Sequence, residues 1–342
     1  MNANFNDWLI RWKMIIVCEN STMERILLVK TSSLGDVIHN LPVVSDILQQ
    51  YPDAHIDWVV EESFADIPKL HPAIKQVIPV AARRWRKAIF CKQTWCEIAA
   101  FKRLVSAKPY DLIIDTQGLI KSAVMTKFAQ GLKCGQDKTS AREPFASYFY
   151  NQKHNVARDQ HAVIRNRETA ARACGYAIPS GAPDYGLKAI TSSKLDLPQP
   201  YIVGLHGTSK ESKLWPITHW IDLAKALADQ QLNLVLPWAS DAEHTRANDI
   251  AAKHSNVIVL PKLKIVQLAT IIGNAHAAIG VDTGLSHLAT ALSIPTIAIY
   301  TDTDPALTGV YPGAHAPANN LGGKAQCPSV AETISTLNKL KS

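Results

Sequence analysis

The chain has 342 residues, 47% of them hydrophobic and 19% charged, with a formal net charge of +7. That length allows two domains with separate cores, and no run of about 18 uncharged apolar residues is present to cross a bilayer as a helix. The basic excess favours anionic partners (phosphorylated metabolites, nucleic acid or an anionic membrane surface), and the lack of a recognisable RNA- or DNA-binding motif argues against nucleic acid.

Six cysteines, Cys18, Cys91, Cys96, Cys134, Cys174 and Cys327, are scattered without a CxxC pair. This predicts reduced thiols, a cytoplasmic protein and no metal site. Residues 1–22 contain Trp8-Leu9-Ile10-Arg11-Trp12-Lys13-Met14-Ile15-Ile16-Val17-Cys18. Arg11 and Lys13 interrupt the apolar part and no small-residue cleavage site follows, so a secretory signal is a poor reading. Met23 stands two residues before the first strand. It reads as the natural start, with residues 1–22 an extension outside the fold; a short amphipathic membrane anchor is the rival.

The first strand is predicted over Arg25–Lys30. Its apolar run Ile26-Leu27-Leu28-Val29 ends in Lys30-Thr31-Ser32-Ser33-Leu34-Gly35-Asp36, and a helical pattern follows over Val37–Gln50. A lone carboxylate at a strand–loop–helix turn sits where α/β enzymes place chemistry. Asp36 can cap that helix or act as a general base. His39 reads as a surface or packing residue.

Further strands are predicted at His55–Val60, Gln76–Val80 and Asp111–Asp115, with helices at Glu97–Ala107, Leu119–Ala129 and Ala162–Cys174. The cluster Arg83-Arg84-Trp85-Arg86-Lys87 is either a solvated face or a dock for carboxylates and phosphates. Asp115-Thr116-Gln117-Gly118-Leu119-Ile120-Lys121 adds a second strand–turn–helix carrying a cation. Ser180–Pro200, rich in Pro, Gly, Ser and Asp, reads as an interdomain linker.

In the second half, strands are predicted at Tyr201–His206, Leu232–Pro237, Val257–Leu260, Ala277–Val281 and Thr296–Tyr300. Helices are predicted at Thr218–Ala228, Asp241–Lys253, Ile265–Asn274, Ser286–Leu292 and Ser329–Lys341. The alternation implies parallel sheets covered on both faces. The last helix is basic and amphipathic; it packs back on the first domain or lies against a membrane. The loop from His206 to Pro216 carries Lys210 and Lys213 among hydroxyl residues, which suits a diphosphate or an ordinary polar surface. Leu236-Pro237-Trp238 and Glu243 could flank a nucleoside, although Trp is usually core. In Gly280-Val281-Asp282-Thr283-Gly284, a helix N-terminus can bind an anion or simply be capped by Asp282 or Thr283. Asp282 would repel a phosphate, so it more naturally holds the loop or a sugar hydroxyl. Ser286 and His287 are adjacent on one helix and form no triad. Two such turns, one per half, predict two Rossmann-like domains facing one cleft, spanning 23–183 and 184–342.

Taken together, Lys30–Val37, Asp57–Glu62, Arg83–Lys87, Asp115–Lys121, Thr139–Pro144, Lys213–Pro216, Leu236–Trp238, Val281–His287 and Thr303–Pro305 resemble the lipopolysaccharide heptosyltransferases of glycosyltransferase family 9. The best match is the branch that adds the first heptose. The resemblance implies a GT-B fold with the active site between its domains. It implies inverting transfer of L-glycero-D-manno-heptose from ADP-heptose to the inner Kdo of Kdo2-lipid A, by a monomer peripheral to the cytoplasmic face of a Gram-negative inner membrane. No cofactor is implied, and the need for a divalent ion is left open. By the same resemblance Asp36 is the base. Thr208, Lys213, Glu243, Asp282, Thr283, Gly284 and His287 meet the donor. Ser33, Gly35, Arg83, Arg84, Arg86, Lys87, Lys121 and Arg142 meet the anionic acceptor. The chain departs from the pattern at Thr301-Asp302, where a Gly-Pro pair is expected, and Lys210 could share the role of Lys213. Alternatives are the second heptosyltransferase or a related transferase with another acceptor, a nucleotide-sugar epimerase, and a non-catalytic anionic-lipid-binding protein.

Overall fold

A computed structural model describes residues 23–187 and 196–341. The readings of residues 1–22 and of the middle of the linker lie outside the described residues. The first half contains strands β1 (Arg25–Val29), β2 (His55–Glu61), β3 (Ile74–Val80), β4 (Leu112–Asp115), β5 (Leu132–Gln136) and β6 (Gln152–His154). Its helices are α1 (Leu34–Ile38), α2 (Leu41–Gln50), α3 (Asp66–Lys69), α4 (Ala82–Lys87), α5 (Lys92–Ser106), α6 (Ile120–Thr126) and α7 (Ala162–Cys174). The second half contains β7 (Tyr201–Leu205), β8 (Asn233–Leu236), β9 (Val257–Val259), β10 (Ala277–Val281), β11 (Thr296–Tyr300) and β12 (Ala318–Gly322). Its helices are α8 (Ile217–Ala228), α9 (Asp241–Ala251), α10 (Ile265–Gly273), α11 (Gly284–Ala291) and α12 (Val330–Lys341).

Each half folds into one six-stranded parallel sheet, ordered β3-β2-β1-β4-β5-β6 and β12-β11-β10-β7-β8-β9. Counted from its own first strand, each sheet has the Rossmann order 3-2-1-4-5-6. The order reverses between β1 and β4, where Val29 pairs with Asp115, and between β7 and β10, where Leu205 pairs with Gly280. Loops leaving those four strands open into a crevice, so the topology alone selects the segments able to meet a ligand.

Some elements differ from the sequence reading. The predicted helix Val37–Gln50 is two helices. Pro42 lies in the first turn of α2, and its ring would clash with the carbonyl four residues back in a continuous helix. Strands β5, β6 and β12 were not predicted. Their sequences (Leu-Lys-Cys-Gly-Gln, Gln-Lys-His and Ala-Asn-Asn-Leu-Gly) are polar because two are edge strands and the third lies beside one. The C-terminal helix does not pack back on the first domain. α12 lies against α8, β11 and β12, with Leu337 buried among Trp215, Trp220 and Ile299. The Trp215 indole N–H donates to the Pro328 carbonyl at 2.8 Å and ties down the turn before that helix.

The two domains share apolar packing at the seam. Val37, Ile38 and Leu41 of the first belong to one buried cluster with Leu268, Leu288 and Leu292 of the second. Beneath it, α2 and α7 are joined by a buried ion pair. Arg167 Nε and Nη2 donate to the two oxygens of Asp46 at 2.6 and 3.0 Å, and Nη2 also reaches the Pro179 carbonyl. Arg167→Ala would strand a buried carboxylate. It is expected to cost about 3–5 kcal/mol of unfolding free energy in urea titration; a loss below about 1 kcal/mol would show that the pair does not hold the domain together.

Candidate active site

The turns after β1 and β10 meet head to head. A Cβ on Gly284 would lie 2.5 Å from Leu34 Cδ2, and one on Gly35 would lie 3.0 Å from His287 Cδ2. Glycine at these two positions lets the N-terminal turns of α1 and α11 approach across the seam. Asp36 stands beside that contact. Its Oδ2 accepts the Ser33 N–H at 2.8 Å and the Ser33 hydroxyl at 3.0 Å, and Arg142 Nη1 lies 3.8 Å away. Oδ1 has no partner among the described residues. Capping and chemistry therefore do not compete: one oxygen holds the helix while the other remains able to accept a proton.

Asp36 lines a cavity of about 260 Å³ with Lys30, Arg142, Arg158 and Arg165 of the first domain and Leu307 and Thr308 of the second. Lys30 Nζ donates to the Thr116 carbonyl and to Asn166 Oδ1, both at 3.1 Å. Burial pushes its pKa down to about 8, against the opposing pull of Asp36 and Asp115. Arg165 is held by the Ser140 carbonyl at 2.8 Å. The loop that carries these groups is braced by Gln117. Its Oε1 accepts the Thr31 and Ser32 N–H groups at 2.6 and 3.2 Å, and its Nε2 donates to the Ser32 carbonyl. Lys121 Nζ reaches Ser32 Oγ at 2.7 Å, and the Arg83 and Asp36 charges both act on it. Four cations facing one carboxylate form a receptor for a carboxylate- or phosphate-bearing ligand.

On the other side of the seam, a cavity of about 450 Å³ is lined by His206, Gly207, Thr208, Trp238, Glu243 and Thr283, and by Leu34 from the first domain. Glu243 caps α9: its Oε2 accepts the Ala239 and Ser240 N–H groups at 2.7 and 3.2 Å, while a Cβ on Gly207 would meet its Oε1. Trp238 stacks on His244 with ring centroids 4.1 Å apart. Lys213 Nζ lies 2.6 Å from Asp282 Oδ2, which also accepts the Thr303 hydroxyl at 2.6 Å. Thr208 Oγ1 donates to the Asp282 carbonyl. Asp282 is thus the loop anchor. The departure at Thr301-Asp302 has a role here: Thr301 donates to the Ser212 carbonyl at 2.8 Å and Asp302 accepts from the Ser212 hydroxyl at 2.6 Å, so the pair fixes the residue before Lys213.

Several expected site residues line neither cavity. His287 is buried, and its Nδ1 lies 3.0 Å from His39 Nε2. Burial lowers its pKa to about 4, so it is a neutral seam residue and not a cation for a diphosphate. Arg84 turns away from the cavity into ion pairs with Glu62 and Glu97, at 3.0 and 2.9 Å. Arg86 and Lys87 are exposed and line none of the cavities described. Ser33 and Gly35 flank Asp36 without lining its cavity. The sequence reading missed Arg158, Arg165, Gln117 and Asn166 as site residues. Arg165 and Asn166 are consecutive on α7, which looked like an ordinary amphipathic helix. Among the described residues, no group of three or more His, Cys, Asp or Glu is placed to hold a metal ion.

The model of glycosyltransferase family 9 (heptosyltransferase) matches residues 98–339. The chain belongs to glycosyltransferase family 9. It is 47% identical over 290 residues to a lipopolysaccharide heptosyltransferase 1 of Escherichia coli, covering 84% of this chain and 89% of that one. It is 46% identical over 288 residues to the protein of the same name from Pseudomonas aeruginosa, covering 84% and 81%. Solved structures of the E. coli heptosyltransferase WaaC, one with ADP and one with ADP-2-deoxy-2-fluoro heptose, match with TM-score 0.84 and 42% identity over 92% of this chain and 99% of theirs. This family 9 chain is therefore a glycosyltransferase with the expected GT-B arrangement of two parallel α/β domains.

Lys30 gives a pH signature. The folded protein releases its proton near pH 8 and the unfolded chain near 10.5, so the unfolded state holds more protons between those values. This group therefore favours folding increasingly as pH rises from about 8 to 10.5. Lys30→Met is expected to lack that rise when unfolding free energies are compared across the window; parallel curves for the two proteins would contradict a buried, charged Lys30.

Proposed function

We propose that this glycosyltransferase moves L-glycero-D-manno-heptose from ADP-heptose to the inner Kdo of Kdo2-lipid A, inverting the anomeric carbon, as a step in lipopolysaccharide inner-core assembly. The observation that carries the reading is the position of Asp36. One carboxylate, with an oxygen uncommitted, lines a cation-rich cavity, and Leu34 two residues before it lines a cavity of nucleotide size. An inverting displacement needs one base on the acceptor side and no second carboxylate to form a covalent intermediate. The names and ligands of the relatives, heptosyltransferase 1 and WaaC with ADP and an ADP-heptose analogue, support the donor.

In this reading the nucleoside lies beside Trp238 with Glu243 on its ribose, and the diphosphate meets Lys213, Thr283 and the N-terminus of α11. Positive charge and helix-end N–H groups stabilise the departing ADP, so the reading calls for no divalent ion. Lys30, Arg142, Arg158 and Arg165 take the acceptor's carboxylates, with Lys121 and Arg83 further out. A lipid acceptor puts the enzyme, as a monomer, at the cytoplasmic face of the inner membrane. Among the described residues no helix is long and apolar enough to cross it. Asp36 removes the proton of the acceptor hydroxyl as the heptose–oxygen bond breaks, and closure of the two domains aligns the reactants.

Purified protein is expected to add one heptose to Kdo2-lipid A, seen by mass spectrometry, with the anomeric configuration inverted in the product's NMR spectrum. Transfer only to an already heptosylated acceptor would favour the second transferase of the core instead. ADP release without acceptor consumption would refute transfer to a lipid sugar. Lys213→Met is expected to raise KM for ADP-heptose at least about tenfold, the size of one lost charge-assisted contact; an unchanged KM would move the diphosphate to Lys210.

A further inference from the structure

The turn between α4 and α5 carries a feature that the transfer reaction does not use. Phe90 is fully exposed, and Ile89 and Trp95 beside it are 51% and 55% exposed. Large apolar side chains clustered at one exposed turn are costly in water unless something covers them. The charges around them have one sign. Arg86, Lys87 and Lys92 are all exposed. The nearby acids, Glu62 and Glu97, are both engaged by Arg84, and Glu97 also accepts the Trp85 indole N–H at 2.7 Å and the Gln93 amide at 3.0 Å.

The turn is also braced. The Trp95 indole N–H donates to the Ile89 carbonyl at 2.8 Å, the Thr94 hydroxyl donates to the Ala88 carbonyl at 2.8 Å, and Cys91 N–H reaches the same carbonyl at 3.0 Å. The carbonyls at its base are satisfied from within, so the tip can leave water without stranding them. We propose that this turn, with Ile89 and Phe90 at its apex and Trp95 at its side, docks the protein on an anionic phospholipid bilayer. The apolar apex enters the interfacial layer, the aromatic Trp95 sits at headgroup level, and the three cations meet lipid phosphates.

The proposal rests on the reading of the acceptor as a membrane lipid, and the geometry joins the two. α4 is only six residues long, about 9 Å. At its start, Arg83 N–H donates to Glu61 at the end of β2, and the Arg83 charge acts on Lys121, which bonds Ser32 of the loop that Gln117 braces beside the acceptor cavity. Its far end leads into the apolar turn. A lipid-linked sugar could thus enter the cavity while its acyl chains stay in the bilayer.

The test is cosedimentation with vesicles of phosphatidylcholine alone or with about a third phosphatidylglycerol. The wild type is compared with the double variant Ile89→Ser, Phe90→Ser. Both side chains are exposed, so the melting temperature is expected to hold. Wild type is expected to bind the anionic vesicles, and the variant to bind about tenfold more weakly or worse, as removal of two inserted apolar side chains requires. Transfer to Kdo2-lipid A in vesicles should fall in parallel, while transfer to the deacylated, water-soluble acceptor stays unchanged. Equal binding by the two proteins, or no vesicle binding by the wild type, would overturn the docking site and point to a protein partner for the turn. Phe90-dependent binding by a protein that transfers to no Kdo acceptor would instead overturn the reaction and leave the docking site standing.

Discussion

The structure depends on the close approach of two helix N-termini across the interdomain seam. Gly35 against His287 leaves only tight room for a side chain, and Gly284 against Leu34 leaves none unless Leu34 moves. They bring the ends of the two sheets' switch-point loops together, so that Asp36 borders a cavity lined from both domains. The packed neutral imidazoles of His39 and His287 fill the space beneath without adding charge. Because the seam is apolar and neutral, the charges that matter are displaced to either side of it: cations around Asp36, and the Lys213–Asp282 pair in the second domain. Each side is then tuned independently for its own anion.

Desolvation and pairing distinguish two kinds of basic residue here. Lys30 and Arg165 are withdrawn from water and lose part of their hold on the proton, which makes a carboxylate partner worth more to them. Arg84 is exposed and already paired twice. A count of positive charge cannot separate these cases, although the +7 excess is a fair guide to the sign of the ligands.

Much of the fold was legible in the sequence because parallel strands buried on both faces are continuous apolar runs. The strands Ala277–Val281 and Thr296–Tyr300 were read to the residue, as was the amphipathic helix Ala162–Cys174 from its own period. The edge strands β6 and β12 are polar and were missed, whereas the edge strands β3 and β9 keep apolar runs and were read. The turns bearing Asp36, Glu243, Lys213 and Asp282 were legible because strand–loop–helix junctions concentrate small, polar and glycine residues. Arg158 and Arg165 were not, since nothing local to the loop before α7, or to α7 itself, shows which cavity they line. The Arg83–Lys87 cluster is close in sequence but divided in space: a helical turn sends Arg84 to Glu62 and Glu97 while Arg86 and Lys87 stay in solvent. The C-terminal helix was misplaced because its amphipathic pattern shows that it packs, not on what.

The central claim is that a single carboxylate at the seam removes the acceptor proton. The direct test is Asp36→Asn, which keeps the shape and the cap while removing the base. Single-turnover transfer should fall by about 10²–10⁴-fold, the usual worth of a positioned base, with ADP-heptose affinity unchanged and the melting temperature preserved. Turnover within tenfold of wild type, in a folded variant that still binds donor, would contradict the account.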